Sequence, residues 1–261
     1  MTDSPQVWHY GLMAEYWARF KTDAPEAPFF IECVRRYGQP VLDLGCGTGR
    51  ILLPLLRAGL DADGCDVSPD MLRWAKKAAD EARFSPRLFA QAMHELDLPR
   101  RYRTILICSS FGLGGTRETD LASLRCCHAH LESGGALVFN VEYASAAWDL
   151  WRTSAALPAP WPERGRPRIA ADGSEHFMQI RSVAADPLTQ TYTREVRLEK
   201  WQSGKLVATE SYTLKESMYL REEVLLMLKV AGFGRVLVQG DFTNDDATAE
   251  HEELVFTAVR T

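Results

Sequence analysis

Along residues 7–20 the apolar side chains of Tyr10, Met13, Trp17 and Phe20 recur at helical spacing, with Leu12 and Tyr16 beside them. Two prolines within residues 22–28 break that helix. Residues 29–37 predict a second, short helix leading to Gly38 and a first strand at 40–44. Strand and helix patterns then alternate. Residues 50–58 read as helix, 61–66 as strand, and 69–80 as a helix with Ser68 as its cap and Pro69 at its first position. Strands at 87–91 and 104–108, a helix at 118–131 and a buried strand at 136–141 follow. This rhythm predicts an α/β fold, a doubly wound and mostly parallel sheet covered by helices on both faces.

The rhythm changes after Glu142. Residues 154–168 are rich in Pro and Arg and cannot form a long helix. Residues 176–185, 191–201 and 206–214 read as three antiparallel strands; Asp186-Pro187 and Ser203-Gly204 supply the turns. In the second of these, Tyr192, Val196 and Leu198 take one face and Thr193, Glu195, Arg197 and Glu199 the other. Helical spacing returns at 221–231 and stops at Gly232, and strands at 235–239 and 253–259 complete the main sheet. The expected organisation is a helical cap (1–38), an α/β domain in two pieces (39–153 and 218–261) and an antiparallel insert or lid (154–217).

The segment Val41-Leu42-Asp43-Leu44-Gly45-Cys46-Gly47-Thr48-Gly49-Arg50 runs an apolar strand into a glycine-rich turn and a helix. Such glycines allow a tight turn and the approach of a ligand where a Cβ would collide. The dinucleotide fingerprint needs a third glycine where this chain has Arg50, so GxGxG no longer favours a pyrophosphate; without Gly-Lys-Ser/Thr it is not a P-loop either. Asp66 ends the next strand, placed to accept both hydroxyls of a ribose.

Composition narrows the partners. The 261 residues are 46% hydrophobic and carry a net charge of -5, without a long Lys/Arg cluster, which argues against nucleic acid and anionic membranes as partners. No apolar run reaches the length of a membrane span, and no signal peptide is expected at Met-Thr-Asp-Ser-Pro. Six cysteines without a CxxC pair suit a reducing cytoplasm, and the scattered histidines suggest no metal site.

Gly45-Cys46-Gly47-Thr48-Gly49 and Asp66-Val67-Ser68 resemble the first two motifs of the class I S-adenosylmethionine-dependent methyltransferases. The resemblance extends through residues 93–98, Ser110-Phe111-Gly112 and residues 131–135, and the insert is similar to that of the small-molecule enzymes of the family. It implies a Rossmann-like seven-stranded sheet, S-adenosylmethionine as cofactor and S-adenosylhomocysteine as product. It also implies a small-molecule acceptor methylated on N or O, of the kind found in secondary metabolism, and a monomer or homodimer. In cofactor binding, Gly45, Gly47 and Gly49, with Cys46 and Thr48 between them, would line the methionine part and Asp66 would hold the ribose. Val67 and Met71 would face one side of the adenine and Ala92 and Met93 the other, while Ser109 would stand near the sulfonium. Tyr10 and Trp17 would close over the cofactor from the first helix. Two departures stand out: Ala92 replaces the usual acid after the third strand, and Arg103 replaces the usual Asp opening the fourth.

Methyl transfer from a sulfonium is a direct displacement that needs alignment more than acid–base chemistry. The candidates for catalysis are therefore positional: Tyr10, His9 and Glu142. Tyr16, Phe111, Glu142 and Trp148 are candidates for the acceptor's walls, and His94 and Glu95 are expected at the surface. Cyclisation or lyase chemistry with the same cofactor, or a non-catalytic cofactor-binding regulator, would leave the motifs unchanged.

Overall fold

The computed structural model describes residues 9–142 and 156–261. Its helices are α1 (Gly11–Phe20), α2 (Ala27–Tyr37), α3 (Leu52–Arg57), α4 (Pro69–Glu81), α5 (Arg117–His130) and α6 (Arg221–Val230). A main sheet contains β1 (Val41–Leu44), β2 (Ala62–Asp66), β3 (Leu88–Ala90), β4 (Tyr102–Ile107), β5 (Leu131–Glu142), β10 (Arg235–Gly240) and β11 (Glu253–Val259), in the order β10-β11-β5-β4-β1-β2-β3. A second, antiparallel sheet contains β6 (Arg168–Ile169), β7 (Glu175–Asp186), β8 (Thr191–Gln202) and β9 (Lys205–Ser217) in chain order. Among the described residues no helix is long and apolar enough to cross a membrane.

In the main sheet β1 to β5 pair in parallel, and β11 runs antiparallel to β5 and to β10. From β1 the chain builds outward through β2 and β3, then returns to the other side of β1 with β4. That reversal opens a crevice at the carboxyl ends of β1 and β4, where ligands of such sheets bind. Both faces are packed. Leu42, Leu44, Ile105 and Phe139 meet α5 and α6 on one side, and Val41, Leu106 and Val138 meet α2 and α3 on the other. Such near-continuous apolar strands are what burial on two faces demands.

The second sheet differs from its expected form in two ways. It has four strands, because two residues at the end of the Pro/Arg-rich segment pair with Glu175 and His176 through a turn at Gly173. It is also longer. β9 continues to Ser217, where the Ser217 N–H donates to Gly112 O (2.8 Å) and the Gly114 N–H to Lys215 O (2.8 Å). The small sheet is thereby stitched to the loop after β4. Its inner face, Val196, Leu198 and Tyr212, packs on Leu12, Met13 and Tyr16 of α1.

Among the described residues the first helix starts at Gly11, because Gly11 takes a φ of +52° that an α-helix cannot continue through. Its leading N–H groups, which have no partner within the helix, are capped by side chains from elsewhere. Asp70 of α4 accepts from Gly11 (2.7 Å), Glu210 from Leu12 (2.9 Å) and the Tyr212 hydroxyl from Met13 (3.0 Å). The Ser68 hydroxyl donates to the His9 carbonyl, and Lys200 pairs with Glu15 at 2.7 Å. Thus α1 is fastened to α4 on one side and to the small sheet on the other.

Replacing Glu210 by Ala should strand the Leu12 N–H and lower the unfolding free energy by about 1–3 kcal/mol, the cost of a part-buried donor without a partner. Urea unfolding indistinguishable from wild type would show that this cap does not hold the helix.

Candidate functional site

At the crevice lies a cavity of about 540 Å³, bounded by the turn after β1, the ends of β2 and β4, α1 and the small sheet. Gly45 has φ +75° and Gly47 φ +54°, a left-handed region that costs a side-chain-bearing residue free energy. At Gly45 space is equally decisive, for an added Cβ would stand 2.3 Å from Ser110 Oγ and 2.9 Å from Met93 Cε. Gly49 serves a different end. Its missing Cβ would meet only ordinary contacts with Leu53 and Ala75, but φ is +90°. It shapes the approach to α3 and does not line the cavity.

Asp66 ends β2 and enters the cavity wall with Val67. Its carboxylate accepts from the Gly47 N–H and the Ser68 N–H, both at 2.8 Å, which ties the second strand to the glycine turn. Burial raises its pKa against those two hydrogen bonds. Each oxygen keeps lone-pair capacity for a further donor.

Sequence reasoning passed over Asp43, the acid within β1, where alternation reads as strand core. It is buried, reaches the cavity and has one oxygen, Oδ2, without a hydrogen-bond partner among the described residues. Burial pushes its carboxyl up to about 7, opposed by the Arg50 charge and the Leu52 N–H. Arg50 donates to Glu26 and, at 3.2 Å, to Cys108 Sγ; the thiol, also 3.2 Å from Glu26, is pushed by burial up to about 12. Arg50 and Cys108 both line the cavity. Ser110 Oγ is buried beside Gly45 without a hydrogen-bond partner among the described residues. Ser109, also on the wall, is held by Asn140, which accepts from its N–H (2.8 Å) and donates to its hydroxyl (3.1 Å).

Trp17 of α1 and His9, two residues before that helix, reach the cavity with their rings 5.1 Å apart, edge to face. Burial, reinforced by the Arg194 charge, lowers the His9 pKa to about 4, so its imidazole is neutral at pH 7. Cys46, Thr48, Ala92 and Met93 also lie on the wall. Met71 is buried against Gly47 without forming it.

The other aromatic and acidic candidates stand elsewhere. Tyr10, the residue before α1, has extended backbone and is 44% exposed; its ring packs on Tyr212 at 4.9 Å. Tyr16 is buried between α1 and the small sheet. Phe111 is claimed by the main core, 5.0 Å from Phe139 and 5.2 Å from Tyr219. Glu142 is exposed at the end of β5, outside the wall, and Trp148 lies outside the described residues. His94, expected at the surface, is on the wall instead, because the turn that carries it packs against α5.

A further part of the wall comes from the loop Gly112–Thr116 and the first turns of α5. Thr116 caps α5 reciprocally with Thr119. Asp120, buried in the first turn of α5, accepts from the Tyr219 hydroxyl, and Gly115 abuts it so closely that a Cβ there would stand 2.6 Å from its Oδ1.

The arrangement fits a ligand with a ribose and a cationic amino-acid part. The glycine cradle admits backbone contact, Asp66 can accept hydroxyls, and Asp43 has an unbonded carboxylate oxygen. Residues 41–135 match a protein family described as "Methyltransferase domain". A protein of Geobacillus sp. (strain WCH70) named as a methyltransferase is 30% identical over 257 residues, covering 95% of this chain and 97% of that one. A crystal structure of an S-adenosylmethionine-dependent methyltransferase from Clostridium acetobutylicum ATCC 824 superposes with a TM-score of 0.73 at 16% identity, over 95% of this chain and 97% of that chain. The sugar N-methyltransferase KedS8 from Streptoalloteichus sp ATCC 53650 gives 0.74 at 18% identity, over 100% of this chain and 96% of that chain.

Asp66→Ala should weaken S-adenosylhomocysteine binding more than tenfold in calorimetry, since a hydrogen bond to a charged acceptor contributes roughly 1.5–3 kcal/mol; unchanged affinity would remove Asp66 from the site. For Asp43 the raised pKa gives the sign. The ligand-free folded protein holds a proton that the unfolded chain has lost, so this group's contribution falls as pH rises from about 4 toward 7. Asp43→Asn should therefore melt above wild type at pH 7.5, with the advantage shrinking toward pH 4, while binding S-adenosylhomocysteine more weakly. A variant less stable than wild type at pH 7.5 would contradict the assignment.

Proposed function

The chain belongs to the S-adenosylmethionine-dependent methyltransferases, and from that premise we propose that it methylates a nitrogen or oxygen of a small polar molecule. The observation that carries this reading is that one roofed cavity contains both the residues suited to the cofactor and a separate polar wall at Gly112–Thr116 and Asp120. A cavity of this size suits small ligands and cofactors, and an acceptor confined beneath the small sheet must be small. The likeness to a sugar N-methyltransferase supports an amine-bearing acceptor.

The cofactor, when bound, supplies a methyl group activated by its sulfonium. What this chain's residues contribute is binding, orientation and dryness. Gly45 and Gly47 would admit the methionine part to the backbone, and Asp43 would hold its amino group. Asp66 would accept from the ribose hydroxyls. Val67, Ala92 and Met93 supply apolar contact for the adenine, which lacks a carboxylate partner at Ala92. The small sheet and α1 act as the lid that excludes water, with Trp17 and His9 on its underside. The neutral His9 imidazole can accept a hydrogen bond from the acceptor, although a pKa lowered to about 4 makes it a weak base.

The experiment is product analysis by mass spectrometry with S-adenosylmethionine and a panel of hexosamines, nucleotide-linked amino sugars and phenols. Methylated acceptor and S-adenosylhomocysteine should appear in equal amounts. Cofactor consumed without a methylated acceptor would assign a different chemistry to this cavity.

A further inference from the structure

Four acidic side chains among the described residues are buried: Glu26, Asp43, Asp63 and Asp120. A buried carboxylate is costly unless its charge is met, and two of the four meet theirs within the protein. Glu26 pairs with Arg50, and Asp63 with Arg87 (3.0 Å) and Arg100 (3.6 Å). Asp43 and Asp120 have no ion-pair partner among the described residues, and these are the two that line the cavity. On the reading above, Asp43 would meet its counter-charge in the cofactor's amino group. Asp120 stands on the other wall, on α5, and nothing in the cofactor's cradle uses it.

We infer that Asp120 binds a cationic group of the methyl acceptor, a protonated amine on a small polyol such as an amino sugar. This rests on the reading above, that the acceptor shares the cavity with the cofactor. Asp120 is fixed for such a task. Tyr219 donates its hydroxyl to the carboxylate, and the Tyr219 ring lies under the Arg117 guanidinium at 4.0 Å. Arg117 is itself engaged by Glu223 (2.7 Å) and the Met218 carbonyl (2.7 Å) and makes no ion pair with Asp120; its charge favours the carboxylate from a distance, but burial outweighs it. Lys215 on the same wall is exposed, whereas Asp120 is 6% exposed.

An anion is the competing occupant, because Gly112-Leu113-Gly114-Gly115-Thr116 leads into a helix N-terminus much as a phosphate loop does. The local bonds decide against it. Thr116 and Thr119 cap α5 themselves, the Gly114 N–H is spent on Lys215 O, and the Asp120 carboxylate stands where Gly115 leaves room. Like charge there would repel a phosphate and attract an ammonium.

The test uses the whole chain saturated with S-adenosylhomocysteine, titrated by calorimetry at pH 7 with glucosamine, and with glucose and N-acetylglucosamine as neutral controls. Wild type should bind glucosamine at least tenfold more tightly than either control. Asp120→Asn, which keeps an acceptor for the Tyr219 hydroxyl, should abolish that preference while holding S-adenosylhomocysteine as wild type does. Equal binding of the three sugars by wild type, or a preference that survives in Asp120→Asn, would overturn the inference; the wild-type arm suffices should the variant not fold. Failure of methyl transfer in the product analysis, with the binding preference intact, would instead overturn the proposed reaction.

Discussion

No side chain can stand at position 45. The backbone there is left-handed, and the volume a Cβ would fill is taken by Ser110 and Met93. That close approach lets the end of β4 lie against the turn after β1, and the crevice between these two strands is where the site is built. The same turn presents the Gly47 N–H to Asp66, so the second strand's carboxylate is oriented by the first strand's glycines. Substituting Gly45 would therefore displace both walls together.

The chain spends stability to keep charge in this cavity. Asp43, Asp66 and Asp120 are all desolvated enough for burial to raise their pKa values, and His9 is desolvated enough to lose its proton. A ligand that brings positive charge meets groups already stripped of water and fixed in place. Such preorganisation is the form in which a site stores binding energy.

What was legible in the sequence was what is local. The alternation of elements, the Ser68 cap and the glycine turn followed by Asp66 depend on neighbours within a few residues, and each has a spacing that can be read. Asp43 was hidden because an acid inside an apolar strand has no spacing signature; its meaning comes from the lack of a partner in three dimensions. Asp120 sits on a helix whose capping residues explain it well enough in one dimension. Tyr10 shows the opposite case: the family resemblance suggested a place over the cofactor, but the positive φ at Gly11 starts the helix after it and leaves its ring on Tyr212. The two-residue strand β6 was invisible because it is defined only by its pairing with β7.

The stitching of β9 to the loop after β4, through Gly112 with Ser217 and Gly114 with Lys215, bears on how such a protein can acquire new acceptors. The roof and one wall of the acceptor space share backbone hydrogen bonds, so neither can be exchanged as a cassette alone. A chimera carrying another enzyme's small sheet must bring the matching 112–116 loop with it, or leave two seams of unpaired amides at the mouth of the site. Diversification is freest instead along the faces of that sheet that touch neither α1 nor this loop.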